Sequence, residues 1–226
     1  MKKIFSLLII LSLAIGSFAQ KNKNKFVEIE TTMGKIKIEL FADVPQHSEN
    51  FLKLVKDGFY DSLLFHRVIP SFMIQGGDPD SKNALDGQML GNGDVGYKVP
   101  AEFMVPKYYH KKGALAAARD NNPEKASSGC QFYIVVGRTF TDQDLTTMEQ
   151  RGGFTYSEQA KKDYKTIGGT PHLDNGYTVF GKVISGTQTI DRIRKIPTMV
   201  APAPKFGRMA DVPTTAVVIE SATVLK

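Results

Sequence analysis

At 226 residues, with 42% hydrophobic and 23% charged side chains, the chain has enough apolar material for a real core, which excludes a disordered, collagenous, low-complexity or coiled-coil protein. Its single cysteine, Cys130, excludes a disulfide scaffold, a four-thiolate zinc site and an iron–sulfur cluster. Five lysines near the N-terminus account for most of the +6 net charge, so the folded part is close to neutral and nucleic acid is not an expected partner.

Lys2 and Lys3 precede an apolar run from Ile4 to Ile15, followed by Gly16, Ser17, Phe18 and Ala19, the order of a secretory signal with cleavage expected after Ala19. The run is short for a membrane span and no other stretch approaches 18 apolar residues, so the mature chain is expected to carry no stable span and to be exported, periplasmic or secreted. No cysteine follows the leader to support a lipid anchor. Cleavage leaves 27 basic against 23 acidic residues. Residues 20–25 form a polar linker in which Lys21, Lys23 and Lys25 alternate with Asn, and 26–226 form one domain.

From Phe26 the pattern has period two. Val27 and Ile29 alternate with Glu28 and Glu30, and Ile36, Ile38 and Leu40 with Lys35, Lys37 and Glu39, around Gly34; this predicts an antiparallel hairpin with one dry face. A helix follows, with Pro45 in its first turn, His47, Phe51, Leu54 and Val55 on one face and Gly58 at its end. Leu63–Ile69, Phe72–Gln75, Gly113–Ala118, Gln131–Val136, Tyr177–Ile184 and Thr215–Leu225 read as short strands. Thr141 to Gly168 is helical in pattern: Thr141 caps a turn through Leu145 and Met148, and Ser157 caps another with Ala160, Tyr164 and Ile167 on one side. This stretch reads as an insertion, about 138–170. Ile190, Ile193 and Ile196 form a last stripe ending at Pro197, a second helix closing the other end. Many short strands and few helices predict a mainly β fold, a closed barrel or a sandwich.

The four histidines (His47, His66, His110 and His172) form no HExxH pair and no close cluster with acids, so neither a metal nor a cofactor is expected. Asp78, Asp80 and Asp86 loosely suggest a calcium loop, but Lys82 stands where a third oxygen ligand belongs, and a solvated turn is the better reading. Gly91, Gly93 and Gly96 lie in a loop and do not open a helix, so no phosphate cradle is indicated. Alternation places Cys130 with Phe132 and Ile134 as a small core residue. His66 reads as structural.

What stands out is the segment from Phe65 to Asp78 (FHRVIPSFMIQGGD), followed in order by Gly129 to Ile134 (GCQFYI), His172-Leu173-Asp174 and Tyr177 to Val183 (YTVFGKV). With NFLKLVKDGFYD, GNGDVGYKVPAEF and GALAAARDNNP in their places, the sequence from about Phe26 to Lys226 resembles the cyclophilins, the cyclosporin-binding peptidyl-prolyl cis-trans isomerases. The resemblance implies a closed antiparallel eight-stranded β-barrel capped by two helices, to which the insertion is added, and a monomer acting on proline-containing polypeptides. It also implies that Arg67 is the catalytic donor, that Phe72, Met73, Tyr133 and Leu173 enclose the proline ring, that Gln75 and Gln131 orient Arg67 and the substrate backbone, and that Ala118 and Arg119 line the peptide groove.

The chemistry agrees with that assignment. Rotation about an X–Pro bond breaks no bond, so a catalyst needs a donor for the twisted nitrogen and a dry pocket, but no nucleophile, metal or acid–base pair. Arginine is permanently charged and carries a rigid fork of donors; on the residue alone a surface-strand salt bridge is the better reading, and the motif around Arg67 reverses that. By parity Gln131 and Tyr133 share one strand face and Cys130, Phe132 and Ile134 the other, and Met73 pairs with Gln75.

Several positions depart from the family pattern. Tyr133 stands where Phe is common and adds a hydroxyl that must find a partner or water. His172 replaces the Trp of cyclosporin-sensitive members, predicting weak cyclosporin binding with activity retained. Tyr177 replaces a pocket His, and Arg119 replaces an Asn and favours acidic residues near the proline. These departures and the insertion, which would shade the groove, keep two alternatives in view: a proline-peptide binding module or chaperone with little catalysis, and a non-enzymatic envelope scaffold.

Overall fold

The computed structural model describes residues 23–85, 88–199 and 211–225, so the leader, its cleavage site and the start of the linker lie outside the described residues. The alternating N-terminal segment forms the expected hairpin of β1 (Lys25–Thr31) and β2 (Gly34–Leu40), with Val27 opposite Ile38 and Ile29 opposite Ile36. Those four side chains are fully buried, and on the wet face Lys35 reaches Glu28 at 2.9 Å. Helix α1 (Pro45–Lys56) buries His47, Phe51, Leu54 and Val55. It ends where Gly58, at φ +66°, turns its amide back to the carbonyl of Val55.

The chain then gives β3 (Arg67–Ile69), β4 (Met73–Gly76), β5 (Lys98–Val99), β6 (Ala114–Ala117), β7 (Ser127–Ser128) and β8 (Phe132–Val135). Helices α2 (Asp142–Gly152) and α3 (Glu158–Thr166) precede β9 (Val179–Ser185), α4 (Thr187–Ile193) and β10 (Ile219–Leu225). Eight strands make one curled antiparallel sheet, a half-barrel, in the order β10-β1-β2-β9-β6-β8-β4-β3, while β5 and β7 pair separately. This corrects the expectation of a closed barrel, because the ladder ends at β10 and β3. Between those edges Leu64 bridges Val218, and the Phe65 amide donates to the carbonyl of Val217 at 2.9 Å. Of the predicted strand Leu63–Ile69 only Arg67–Ile69 joins the ladder, because the residues before it meet Val217 and Val218 through single contacts instead of β4.

Register explains the core. Gly181, Leu115, Ile134, Ile74 and Val68 stand side by side across five strands, and the four side chains among them are fully buried. A Cβ on Gly181 would lie 2.7 Å from the carbonyl of Glu39, so the sheet closes up against that backbone. Phe51 meets Phe132 edge-on with centroids 5.4 Å apart, which seats α1 on the core. Cys130 lies just before β8, buried as expected, and burial pushes its thiol up to about 11.

The insertion closes a small second core over Tyr109, formed with Phe140, Leu145, Tyr156, Ala160 and Tyr164. Thr141 and Asp144 form a reciprocal capping box, and the Ser157 hydroxyl accepts from the Ala160 amide at 3.2 Å. Ile167 departs from the predicted stripe: it follows the last turn of α3 and is 49% exposed.

Candidate active site

Opposed residues on adjacent antiparallel strands share a face, and the row next to the core row is Arg67, Gln75, Tyr133 and Ala116. This row lies on the other face of the sheet, where Arg67 and Gln75 are partly exposed while Tyr133 and Ala116 are themselves buried. Gln131, just before β8, fixes the polar half of this row. Its Nε2 donates to the carbonyls of Gly91 (3.1 Å) and Gly93 (2.9 Å), so its Oε1 is the end that accepts from Gln75 Nε2 at 3.0 Å. Gln75 Oε1 in turn faces Arg67 Nη1 at 3.4 Å.

Two residues that sequence reading missed complete this arrangement. Asp211 places Oδ2 3.5 Å from Arg67 Nε, with both side chains about one-third exposed (33% and 32%), while its carbonyl accepts from the Val68 amide at 2.8 Å. No local pattern announces it, since the contact joins distant segments. Asp78 is fully buried, which corrects its reading as a solvated turn. Its carboxylate accepts from the Asp80 amide at 2.8 Å, capping the short turn at Pro79–Ser81, and from the Gly91 amide, so it orders the loop that Gln131 grips.

Arg67 and Gln75 open onto a cavity of about 750 Å³. Phe72, Met73, Tyr133 and Leu173 line it together with Ala118, Arg119, Gln131 and Tyr177. His172 does not line it; the ring stacks on Phe72 with centroids 5.6 Å apart and an interplanar angle of 27°. Burial lowers the His172 pKa, with the nearby His110 adding to the effect. Arg119 is a clasp more than a loose charge: Nε donates to the carbonyl of Gly176 and Nη1 to that of Asp120, each at 2.8 Å, and the guanidinium lies 4.7 Å from the centre of the Tyr177 ring. Tyr133 finds the partner its hydroxyl requires in His110, with Oη 2.9 Å from Nε2. His66 is buried with neither ring nitrogen hydrogen-bonded among the described residues, and burial lowers its pKa to about 4 against the opposing pull of Asp78.

Among the described residues no group of three His, Cys, Asp or Glu side chains is placed to hold a metal ion, and no helix is long and apolar enough to cross a membrane. The site sets Arg67 in a largely polar cavity whose apolar wall is Phe72, Met73 and Leu173.

Comparison with known proteins gives a consistent set of likenesses. The model of the family described as cyclophilin type peptidyl-prolyl cis-trans isomerase/CLD matches residues 26–224. A Staphylococcus haemolyticus protein named as a peptidyl-prolyl cis-trans isomerase is 35% identical over 206 residues, covering 91% of this chain and 93% of that protein. A Streptococcus pyogenes protein named as a bifunctional phosphatase/peptidyl-prolyl cis-trans isomerase is 38% identical over 184 residues; the match takes in 79% of this chain but 36% of that longer protein. In fold, the chain resembles the crystal structure of a Cryptosporidium parvum cyclophilin type peptidyl-prolyl cis-trans isomerase, with a TM-score of 0.62, 24% identity and coverage of 90% and 99% of the two chains.

Proposed function

The chain belongs to the cyclophilin-type peptidyl-prolyl cis-trans isomerases, and from that premise we propose that it is exported and that Arg67 stabilises the rotated X–Pro bond over the pocket of Phe72, Met73, Tyr133 and Leu173. Amide resonance sets a barrier of about 18–20 kcal/mol. At the top of that barrier the nitrogen regains a lone pair, which a fixed donor can meet. The observation that carries the reading is that Arg67 and these four residues line one cavity. Gln75 and Asp211 hold Nη1 and Nε, which orients the guanidinium in advance and leaves Nη2 as the donor for the substrate.

A charge-assisted hydrogen bond made mainly to the twisted state contributes about 1.5–3 kcal/mol, a factor of roughly ten to a hundred in rate. Apolar contact with the proline ring and the grip on the peptide backbone by Gln75, Gln131, Ala118 and Arg119 supply the remainder. The test is protease-independent isomer exchange on an Ala-Pro peptide, followed by NMR for wild type and Arg67→Ala. A loss of at least tenfold supports the assignment; exchange as fast in the variant as in wild type overturns it.

The export reading rests on the leader from Lys2 to Ala19. It gives the enzyme clients, since chains that cross a membrane unfolded refold at rates limited by proline isomers. Mass spectrometry of the chain recovered outside the cytoplasm is expected to find Gln20 first. Recovery in the cytoplasm with residues 1–19 attached would defeat it.

A further inference from the structure

The hydroxyl of Tyr133 is one end of a buried chain of hydrogen bonds. Beyond its contact with His110 Nε2 at 2.9 Å, His110 Nδ1 lies 2.8 Å from Asp174 Oδ1, and the Tyr164 hydroxyl donates to Asp174 Oδ2 at 2.5 Å. The backbone N–H of His110 also donates to Asp174 Oδ1, at 2.9 Å. All four side chains are buried. Tyr164 belongs to α3 in the insertion, whereas Tyr133 lines the cavity, so the chain connects the insertion's small core to the pocket.

Counting donors and acceptors fixes its direction. An ionised carboxylate only accepts, so Asp174 takes the Tyr164 hydroxyl, the His110 amide and Nδ1–H. With Nδ1 protonated, Nε2 carries the lone pair and Tyr133 donates to it. The reverse arrangement would leave the Tyr133 proton without an acceptor among the described residues. Burial raises the pKa of both phenols, with the charge of Asp174 adding to the effect at Tyr164, so both keep the protons this scheme needs. The cavity therefore meets the ring carbons of Tyr133 and not its O–H. The insertion braces the neighbouring wall too, since the Tyr156 hydroxyl donates to the carbonyl of Pro171 at 3.0 Å, next to His172 and Leu173.

We propose that Tyr164, Asp174 and His110 are positioning residues for the isomerase site, acting through the Tyr133 hydroxyl to hold the aromatic wall of the proline pocket and to turn its polar proton away from the substrate. The insertion is then a strut of the pocket and not a cover over the groove. This rests on the placing of Tyr133 in the proline pocket above.

The test is a double-mutant cycle. Asp174→Asn and Tyr164→Phe are each measured in the wild-type and Tyr133→Phe backgrounds by isomer exchange on an Ala-Pro peptide. In the wild-type background kcat/KM is expected to fall about tenfold for Asp174→Asn and about threefold for Tyr164→Phe, with KM carrying most of the change. Once the Tyr133 hydroxyl is absent, each loss is expected to shrink below about twofold. Equal losses in both backgrounds would make the chain a merely structural one and overturn the proposal. Ring 15N spectra of His110 in the unsubstituted protein decide the direction whether or not a variant folds: a protonated Nδ1 with a bare Nε2 supports the proposal, and a proton on Nε2 overturns it. Absent exchange in wild type would count against the isomerase reading alone, because the same cycle can be read in peptide dissociation constants.

Discussion

Replacing Gln131 by Glu preserves shape and removes two donors. Gln131 Nε2 supplies the hydrogen bonds to Gly91 O and Gly93 O, at 3.1 and 2.9 Å, and a carboxylate can make neither. At about 1 kcal/mol each, the loss is about 2 kcal/mol before counting repulsion between the new charge and the two carbonyls. For a domain of this size each 1 kcal/mol moves Tm by about 2–4 °C, so Tm at pH 7.5 is expected to fall by about 4–8 °C. The deficit depends on pH with a definite sign. Position 131 is buried, so the introduced carboxyl has a folded-state pKa above its unfolded value of about 4.3. Protonated, it can donate to one carbonyl while still accepting from Gln75. The penalty is therefore full above the folded pKa and shrinks as pH falls toward about 4.3. Gln131→Leu loses the same donors at every pH, so its deficit relative to wild type stays flat. Thermal melts at pH 7.5 and 4.5, each variant against wild type at the same pH, separate the two. A Glu deficit that is identical at both pH values would refute the loop tether as the origin of the effect.

Asp211→Ala releases Arg67 Nε; because the pair is partly exposed, stability should change by less than about 1 kcal/mol. Exchange kcat is expected to fall about two- to fivefold from lost orientation, and an unchanged kcat would show that the carboxylate does not hold the guanidinium. His66, with its pKa lowered to about 4 by burial against about 6.5 in an unfolded chain, binds a proton less tightly when native. Stability is therefore lost as pH falls from about 6.5 toward 4, by about 3 kcal/mol across the window, and urea midpoints at pH 7.5 and 5.0 should drop more for wild type than for His66→Phe. Parallel drops would remove His66 as the cause. Gly77 sits at φ +90° where a Cβ would run into the carbonyl of Cys130, so Gly77→Ala is expected to cost about 2–3 kcal/mol in urea unfolding. A change under about 0.5 kcal/mol would contradict that geometry.

What was legible in the sequence was local. Strand parity separated Phe132 and Ile134 from Gln131 and Tyr133, and short-range chemistry marked Gly58, Thr141 and Ser157 as helix ends, because each signal spans only a few residues. What escaped was set by contacts between distant segments. Asp78 looked like a turn acid, and its burial follows from the loop at Gly91 folding back over it. Asp211 carries no motif, and only the path of the chain into β10 brings it to Arg67. The demand that Tyr133 made for a partner was readable, but the identity of that partner, His110, was not. The incomplete ladder between β3 and β10 was hidden for the same reason: alternation predicts strands but does not say which edges will pair.

In β3, β4 and β8 the fully buried Val68, Ile74 and Ile134 alternate with Arg67, Gln75 and Tyr133, which line the cavity. Point changes at Gln75 or Tyr133 can thus reshape the cavity wall while Ile74 and Ile134 keep their places in the core. A single-residue insertion or deletion within any of these strands would exchange the two sets at once, moving Gln75 or Tyr133 into the core row and Ile74 or Ile134 to the cavity. Divergence in binding preference is accordingly confined to two routes, substitution at alternate positions and rebuilding of the loops.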